Sequence, residues 1–226
     1  MPAPADYSAT GRMRDGRDIE IRALRPDDKD DMLAAVGRTG SESLRRRFFT
    51  LKRGFSEKEI AFFVNIDFAN HVALIALADE DGRKCIIGGG RYVVVEPGKA
   101  EIAFVVIDDY QGQGVGTLLM RHLDVIARKA GLRELIAEVL PENMAMRKVF
   151  DKVRFPTRLR TGAAVGTSRD EAGLTPRDAQ HTQTEGTKSN TQKAGISGPF
   201  SSLLGSLAEC GNGWLTTKGS NSHIPD

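Results

Sequence analysis

The sequence predicts an α/β fold, a mixed and mainly antiparallel sheet with helices on its faces. Three observations predict it. Segments alternating apolar and polar residues with a period of two take turns with segments of helical spacing. Three strand-like segments follow one another between residues 71 and 107 with short turns between them, as a meander does. A long amphipathic segment and one more strand come next, which makes a crossover onto the same sheet.

The elements follow in order. Asp18–Leu24 alternates and reads as a strand. Arg25-Pro26-Asp27-Asp28 places an early proline and acids at a helix start, and Leu33 and Val36 give that helix an apolar stripe. A second helix is expected over Ser41–Leu51. Ser56-Glu57-Lys58-Glu59 is a capping box ahead of Ile60, Phe62, Phe63 and Ile66. Strands are expected at His71–Ala78, Lys84–Val95 and Lys99–Ile107, the last two joined by a turn at Glu96-Pro97-Gly98. Gly88-Gly89-Gly90 inside a strand is costly and signals a bulge or a close backbone approach. Val115, Leu118, Leu119, Leu123, Ile126 and Ala130 recur at three- and four-residue steps, a helix that Gly131 ends. Glu134–Leu140 is a strand. Asn143 caps a last helix with Met146, Val149, Phe150 and Val153 on one face.

Composition excludes several classes. Of 226 residues, 32 are Lys or Arg and 30 Asp or Glu, so the net charge of +2 argues for neither a nucleic-acid nor a membrane-surface partner. Cys85 and Cys210 are too far apart for a disulfide framework, and the four histidines are scattered, so no metal site is expected. No apolar run approaches the ~18–20 residues that span a bilayer, and the N-terminus has no secretory signal. The expectation is a cytoplasmic protein. Residues 1–17 read as a flexible arm, 18–158 as the domain, and 159–226, rich in Gly, Ser and Thr, as a largely disordered tail.

One segment carries a strong chemical signal. The strand ending at Ile107 runs into Gln111-Gly112-Gln113-Gly114-Val115-Gly116, and a helix opens inside it. Glycines let successive amides turn toward one point, and the free N–H groups and dipole of a helix start add to them, so the loop suits a phosphate or pyrophosphate. The dinucleotide fingerprint would need glycine at Thr117, and the P-loop's Gly-Lys-Ser/Thr ending is absent.

The Gln-x-x-Gly-x-Gly spacing after a strand resembles the signature of the GCN5-related N-acetyltransferases, the GNAT family. Glu138-Val139-Leu140-Pro141-Glu142-Asn143 and the helix after it look like that family's second motif. Ser43-Leu44-Arg45-Arg46-Arg47-Phe48-Phe49 and the segment from Ala100 to Val106 most resemble the acetyltransferase domain of bacterial protein lysine acetyltransferases acting on acyl-CoA synthetases. The resemblance implies acetyl-CoA as co-substrate and a protein with an exposed lysine as partner. It implies pyrophosphate on the amides of Gly112, Gln113, Gly114, Val115, Gly116 and Thr117 beside Gln111. It implies a pantetheine arm along Phe104, Val105 and Val106, with the Val106 amide facing the thioester oxygen, and a contact from Asn143. Asn143 reads equally as an ordinary helix cap.

Acyl transfer to an amine needs the neutral nucleophile, and a lysine of pKa ~10.4 must lose a proton first. Glu101 and Glu138, each in an apolar strand, are the two candidate bases. Either also reads as a solvent-facing strand residue. A small amine or a protein N-terminus is an alternative acceptor, and a catalytically weak acyl-CoA-binding module is an alternative class. Arg45-Arg46-Arg47 reads as a solvated helix face and Cys85 as a small core residue. The sequence departs from the family at Phe150, where a tyrosine serves as general acid, and at Arg154, where glycine is usual. It departs most after Phe155, where the last two strands are expected to be missing. The tail from about residue 162 reads as a shifted reading frame or an unrelated replacement, which would leave the Glu134–Leu140 strand with an unpaired edge.

Overall fold

The structure is a computed structural model that describes residues 3–49, 54–153 and 155–161. The expectations for Arg154, for Leu51 at the end of the second helix and for the tail from residue 162 lie outside the described residues. Strands are β1 (Ser8–Arg12), β2 (Asp18–Ala23), β3 (His71–Glu80), β4 (Arg83–Glu96), β5 (Lys99–Val106), β6 (Glu134–Val139) and β7 (Thr157–Thr161). Helices are α1 (Lys29–Gly37), α2 (Ser41–Phe48), α3 (Glu57–Val64), α4 (Val115–Lys129) and α5 (Met144–Asp151). The expected mixed sheet with helices on its faces is what forms: the strands lie in chain order, β1 to β5 antiparallel, β5–β6 and β6–β7 parallel.

Two faces divide the strand residues by their period of two. On one face α4 packs its stripe of Val115, Leu119, Met120, Leu123, Ile126 and Ala127, all buried. Each of the larger side chains among them, Val115, Leu119, Met120, Leu123 and Ile126, contributes about 1.5–3 kcal/mol by leaving water. On the other face lie α1, α2 and α3. The α3 start is the expected capping box: Glu59 N–H donates to Ser56 Oγ, and Ser56 N–H donates to the Glu59 carboxylate.

The three consecutive glycines have three different surroundings. Register slips opposite Ala76 and Leu77, so Ile87 is the extra residue of a β-bulge. A Cβ on Gly90 would lie 2.5 Å from the Phe104 ring, and one on Gly88 would lie 2.9 Å from the Val105 carbonyl oxygen. Gly89 has room: its nearest neighbour would be the Leu74 carbonyl oxygen at 3.4 Å.

Three expectations are corrected. Residues 8–12 are not a loose arm but the edge strand β1, flanked by buried Tyr7 and Met13. The strand is polar because neither of its faces is deeply covered. The outer edge of β6 is not unpaired: β7 runs parallel to it, matching Leu135–Val139 with Thr157–Thr161, and Arg158 pairs with Glu134 at 2.8 Å. Its Thr-Arg-Leu-Arg-Thr alternation is too polar to read as a strand from apolar period alone. Cys85 is only half-buried, with its thiol beside Glu80.

Candidate active site

The glycine loop is built as an anion cradle. Gly112 and Gly114 take φ of 77° and 91°, the left-handed region that costs other residues strain. Gly114 sits at the N-cap of α4, where it offers no side chain, and no acid lies in the first turn. The first amides of a 15-residue helix therefore keep their donor capacity and the positive end of its dipole. Nothing lies within 4 Å of a Cβ placed on Gly112, so the approach is open. These features fit a pyrophosphate.

Two tethers hold the loop. Arg14, in the β1–β2 turn, donates from its backbone amide to the Gln113 carbonyl at 3.0 Å and from Nη1 to the Gly112 carbonyl at 2.8 Å. Gln111 turns its Nε2 back toward the Val106 carbonyl, Asp108 and Ser43 Oγ, at 3.1, 2.9 and 3.0 Å. Arg14 was hidden in the sequence by the polar character of β1. Gln111 ties the loop to the end of β5 and to α2.

In front of the loop the sheet splits. β5 and β6 pair only over Lys99–Glu101 with Glu134–Ile136. Past that point the two strands part. The Ile107 amide donates to the Ile87 carbonyl on β4. Backbone alternation then turns the Phe104 and Val106 amides to the other edge, into the gap, and Val105 toward β4. On the far lip, Glu134 donates to Gly98 on the β5 side and Leu135 to Pro156 on the β7 side. The same alternation sends the Glu138 amide into the gap.

Both candidate bases share one face. Glu101 is opposite Ile136, and Glu138 is two residues beyond Ile136, so both side chains project toward the α1–α3 side. Glu101 is buried at 5% exposure; Glu138 is half-buried. Asn143 Oδ1 accepts from the Met146 amide at 3.1 Å, the capping role, which leaves its NH2 group outside that bond. Phe150 is buried 6.0 Å from the Phe104 ring and carries no proton to donate.

Two arginines stand on this face that spacing did not single out. Arg45 and Arg46 do form a solvated face, paired with Glu42, and Arg45 also reaches Glu142. Arg47 turns inward. Burial pushes its pKa down to about 10, while the charge of Glu101 acts the other way. Leu44, the buried residue of α2, lies three positions earlier, and that helical step was the signal available. Arg91 of β4 is pushed down to about 9, by burial and then by Arg47. Both remain cations at neutral pH. Burial, and then the Arg91 charge, takes His71 down to about 4, so it is neutral. Among the described residues no group of three or more His, Cys, Asp or Glu could hold a metal ion. Among them, too, no helix is long and apolar enough to cross a membrane.

Comparison with known proteins matches residues 41–155 to the Acetyltransferase (GNAT) family. An acetyltransferase of Pseudomonas aeruginosa is 34% identical over 134 residues, 59% of this chain and 72% of that one. The acetyltransferase Pat of Mycolicibacterium smegmatis is 33% identical over 144 residues, 63% of this chain and 42% of Pat. The chain thus spans under half the length of Pat. The crystal structure of the GNAT domain of S. lividans PAT shares 33% identity, with a TM-score of 0.60 over 67% of this chain and 88% of that domain.

Proposed function

The chain belongs to the acetyltransferase (GNAT) family, and from that premise we propose that it carries the acetyl group of acetyl-CoA to the ε-amine of a lysine on a protein, an acyl-CoA synthetase being the target class. Acetyl-CoA-dependent N-acetyl transfer is the activity of the family; the acceptor and the residue roles are our reading. One observation carries it. The sheet parts between β5 and β6 directly before an open glycine loop at the start of α4, with two carboxylates on one face of the split. Likeness to Pat and to the S. lividans PAT domain supports a protein acceptor.

The geometry supports the following roles. The amides of Gly112 to Thr117 hold the pyrophosphate, and the dipole of α4 favours its charge. The free edge of Phe104 and Val106 pairs the pantetheine amides as a neighbouring strand would. The Val106 amide, directed into the gap, donates to the thioester oxygen as negative charge develops there. Glu101 receives the proton that the ammonium must lose before attack. Glu138 is the second carboxylate at the mouth. With phenylalanine at position 150, the thiolate leaves without a proton from that position; its low basicity makes this tolerable.

The test is mass spectrometry of candidate proteins incubated with the chain and isotopically labelled acetyl-CoA. Glu101→Gln keeps the shape and removes the base. Turnover should fall ~10²-fold or more with acetyl-CoA affinity unchanged. If Glu101→Gln stays active and Glu138→Gln does not, the base is Glu138.

A further inference from the structure

Under α1, α2 and α3, on the face that carries Glu101, the structure holds a cavity of about 80 Å³. Its floor is the sheet: Ala73 of β3, Gly89 and Arg91 of β4, Ala103 and Val105 of β5. Its roof is aromatic, with Phe48 and Phe63. Three of these floor residues, Ala73, Gly89 and Ala103, are small and leave room above them. Gly88 and Gly90 are glycine because their neighbours crowd them, but Gly89 is not: a Cβ there meets only ordinary contacts. Glycine at 89 leaves the cavity open where packing alone would have allowed a side chain.

Arg91 is the cation in this space that has no carboxylate partner among the described residues. Arg47 and Arg91 both line the cavity, and the charge of Arg47 adds to burial in lowering the pKa of Arg91. Arg47 also feels the carboxylate of Glu101. Arg91 donates to the Phe63 carbonyl at 3.2 Å, lies 3.2 Å from His71 Nε2 and stacks over the Phe63 ring at 4.7 Å. A guanidinium in apolar surroundings without an anion is expensive, and a bidentate carboxylate is what its fork fits. Arg91 faces Ala103, and Glu101 is the next residue on that face of β5, so an anion on Arg91 lies one strand step from the base proposed above.

We propose that this cavity is an acceptor subsite that takes a carboxylate on a short apolar stem, with Arg91 as its ion-pair partner and Gly89 as the residue that keeps it open. Its role as an acceptor subsite rests on the function proposed above; the binding itself does not. A partly open space of this size admits a side-chain-sized group. The same chemistry arrives either on a free amino acid or on an acidic residue beside a target lysine.

The experiment is calorimetry on the full chain with pentanoate, pentanamide and acetyl-CoA. Pentanoate should bind at least tenfold more tightly than pentanamide. Arg91→Met, which trades the cation for an uncharged side chain of similar reach, should abolish that preference and leave acetyl-CoA affinity unchanged. Gly89→Val, which keeps both arginines and fills the cavity, should abolish pentanoate binding by itself. Equal affinity for acid and amide in the native chain overturns the proposal, as does undetectable pentanoate binding or a preference that survives Arg91→Met. The native-chain comparison decides even if a variant fails to fold. Intact acetyl-CoA binding separates that failure from failure of the family function. For the source, KM is compared for a lysine peptide with glutamate or glutamine beside the lysine. A KM at least fivefold lower with glutamate, lost in Arg91→Met, assigns the carboxylate to a peptide. Equal KM values with pentanoate binding intact assign it to a free acid.

Discussion

Single residues decide whether the loop can meet an anion. Gly114→Asp puts a side chain at a φ of 91° and a negative charge against an approaching pyrophosphate. Calorimetry should show acetyl-CoA affinity reduced at least tenfold, about 1.4 kcal/mol. Asp28 tests the scaffold instead. Its carboxylate takes a two-pronged bond from Arg22, 2.7 Å on each side, and the Arg25 amide at 2.7 Å. Burial alone would raise its pKa; those bonds outweigh burial and hold it below the ordinary value. A depressed acid contributes fully above its unfolded value of roughly 4, and the contribution is lost as pH falls through the lower folded value. Asp28→Asn should therefore cost about 3 kcal/mol in urea unfolding at pH 7, with the gap from the native chain narrowing as pH falls below the ordinary carboxylate value. Spacing made Gln111, the loop glycines and both glutamates visible. It hid Arg91 and the inward turn of Arg47, because a charged residue in a sequence gives no sign of which face it takes until strand register is known.

Elements were legible in proportion to their apolar period. The α4 stripe, the β3–β5 meander and the α3 capping box lie where the sequence places them, since each buries one regular face. β1 and β7 escaped because they are short strands, the outermost among the described residues, made largely of Ser, Thr, Gly and Arg, the chemistry that keeps an edge from recruiting another chain. Their pairing partners, not their composition, make them strands. This makes β7 testable. Leu159 pairs with Ala137 of β6. Leu159→Pro removes an amide and stiffens the strand, so β7 should detach. Hydrogen exchange should quicken at least tenfold at Ala137 and Val139, whose amides face β7, and light scattering should rise as the β6 edge opens. Unchanged exchange at those two amides would contradict the pairing.

At the scale of the molecule, the division of labour is between two faces of one sheet. In the proposed function α4 and the glycine loop serve the donor, and α1, α2 and α3 surround the acceptor side. The sequence indicates the donor half because phosphate chemistry imposes a spacing. The acceptor half is assembled from residues between 24 and 107 that only the fold brings together. Among the described residues, those proposed for the donor side lie within 14–143, so a chain ending at Thr161 should bind acetyl-CoA within about twofold of the full chain by calorimetry. A larger loss would place part of the donor site beyond residue 161.

The grip of Arg14 on Gly112 joins residues 98 positions apart. That makes the shape of the loop a late event. A chain must close a long loop, at an entropic cost that grows with its length, before this contact can form. α4 can coil locally much sooner. The helix start and its dipole are thus present early, while the peptide in front of them is still unlatched. The finished shape of the loop waits on the first hairpin of the chain docking on a segment made half a domain later, and the N-terminal turn acts as a clasp on the proposed donor site.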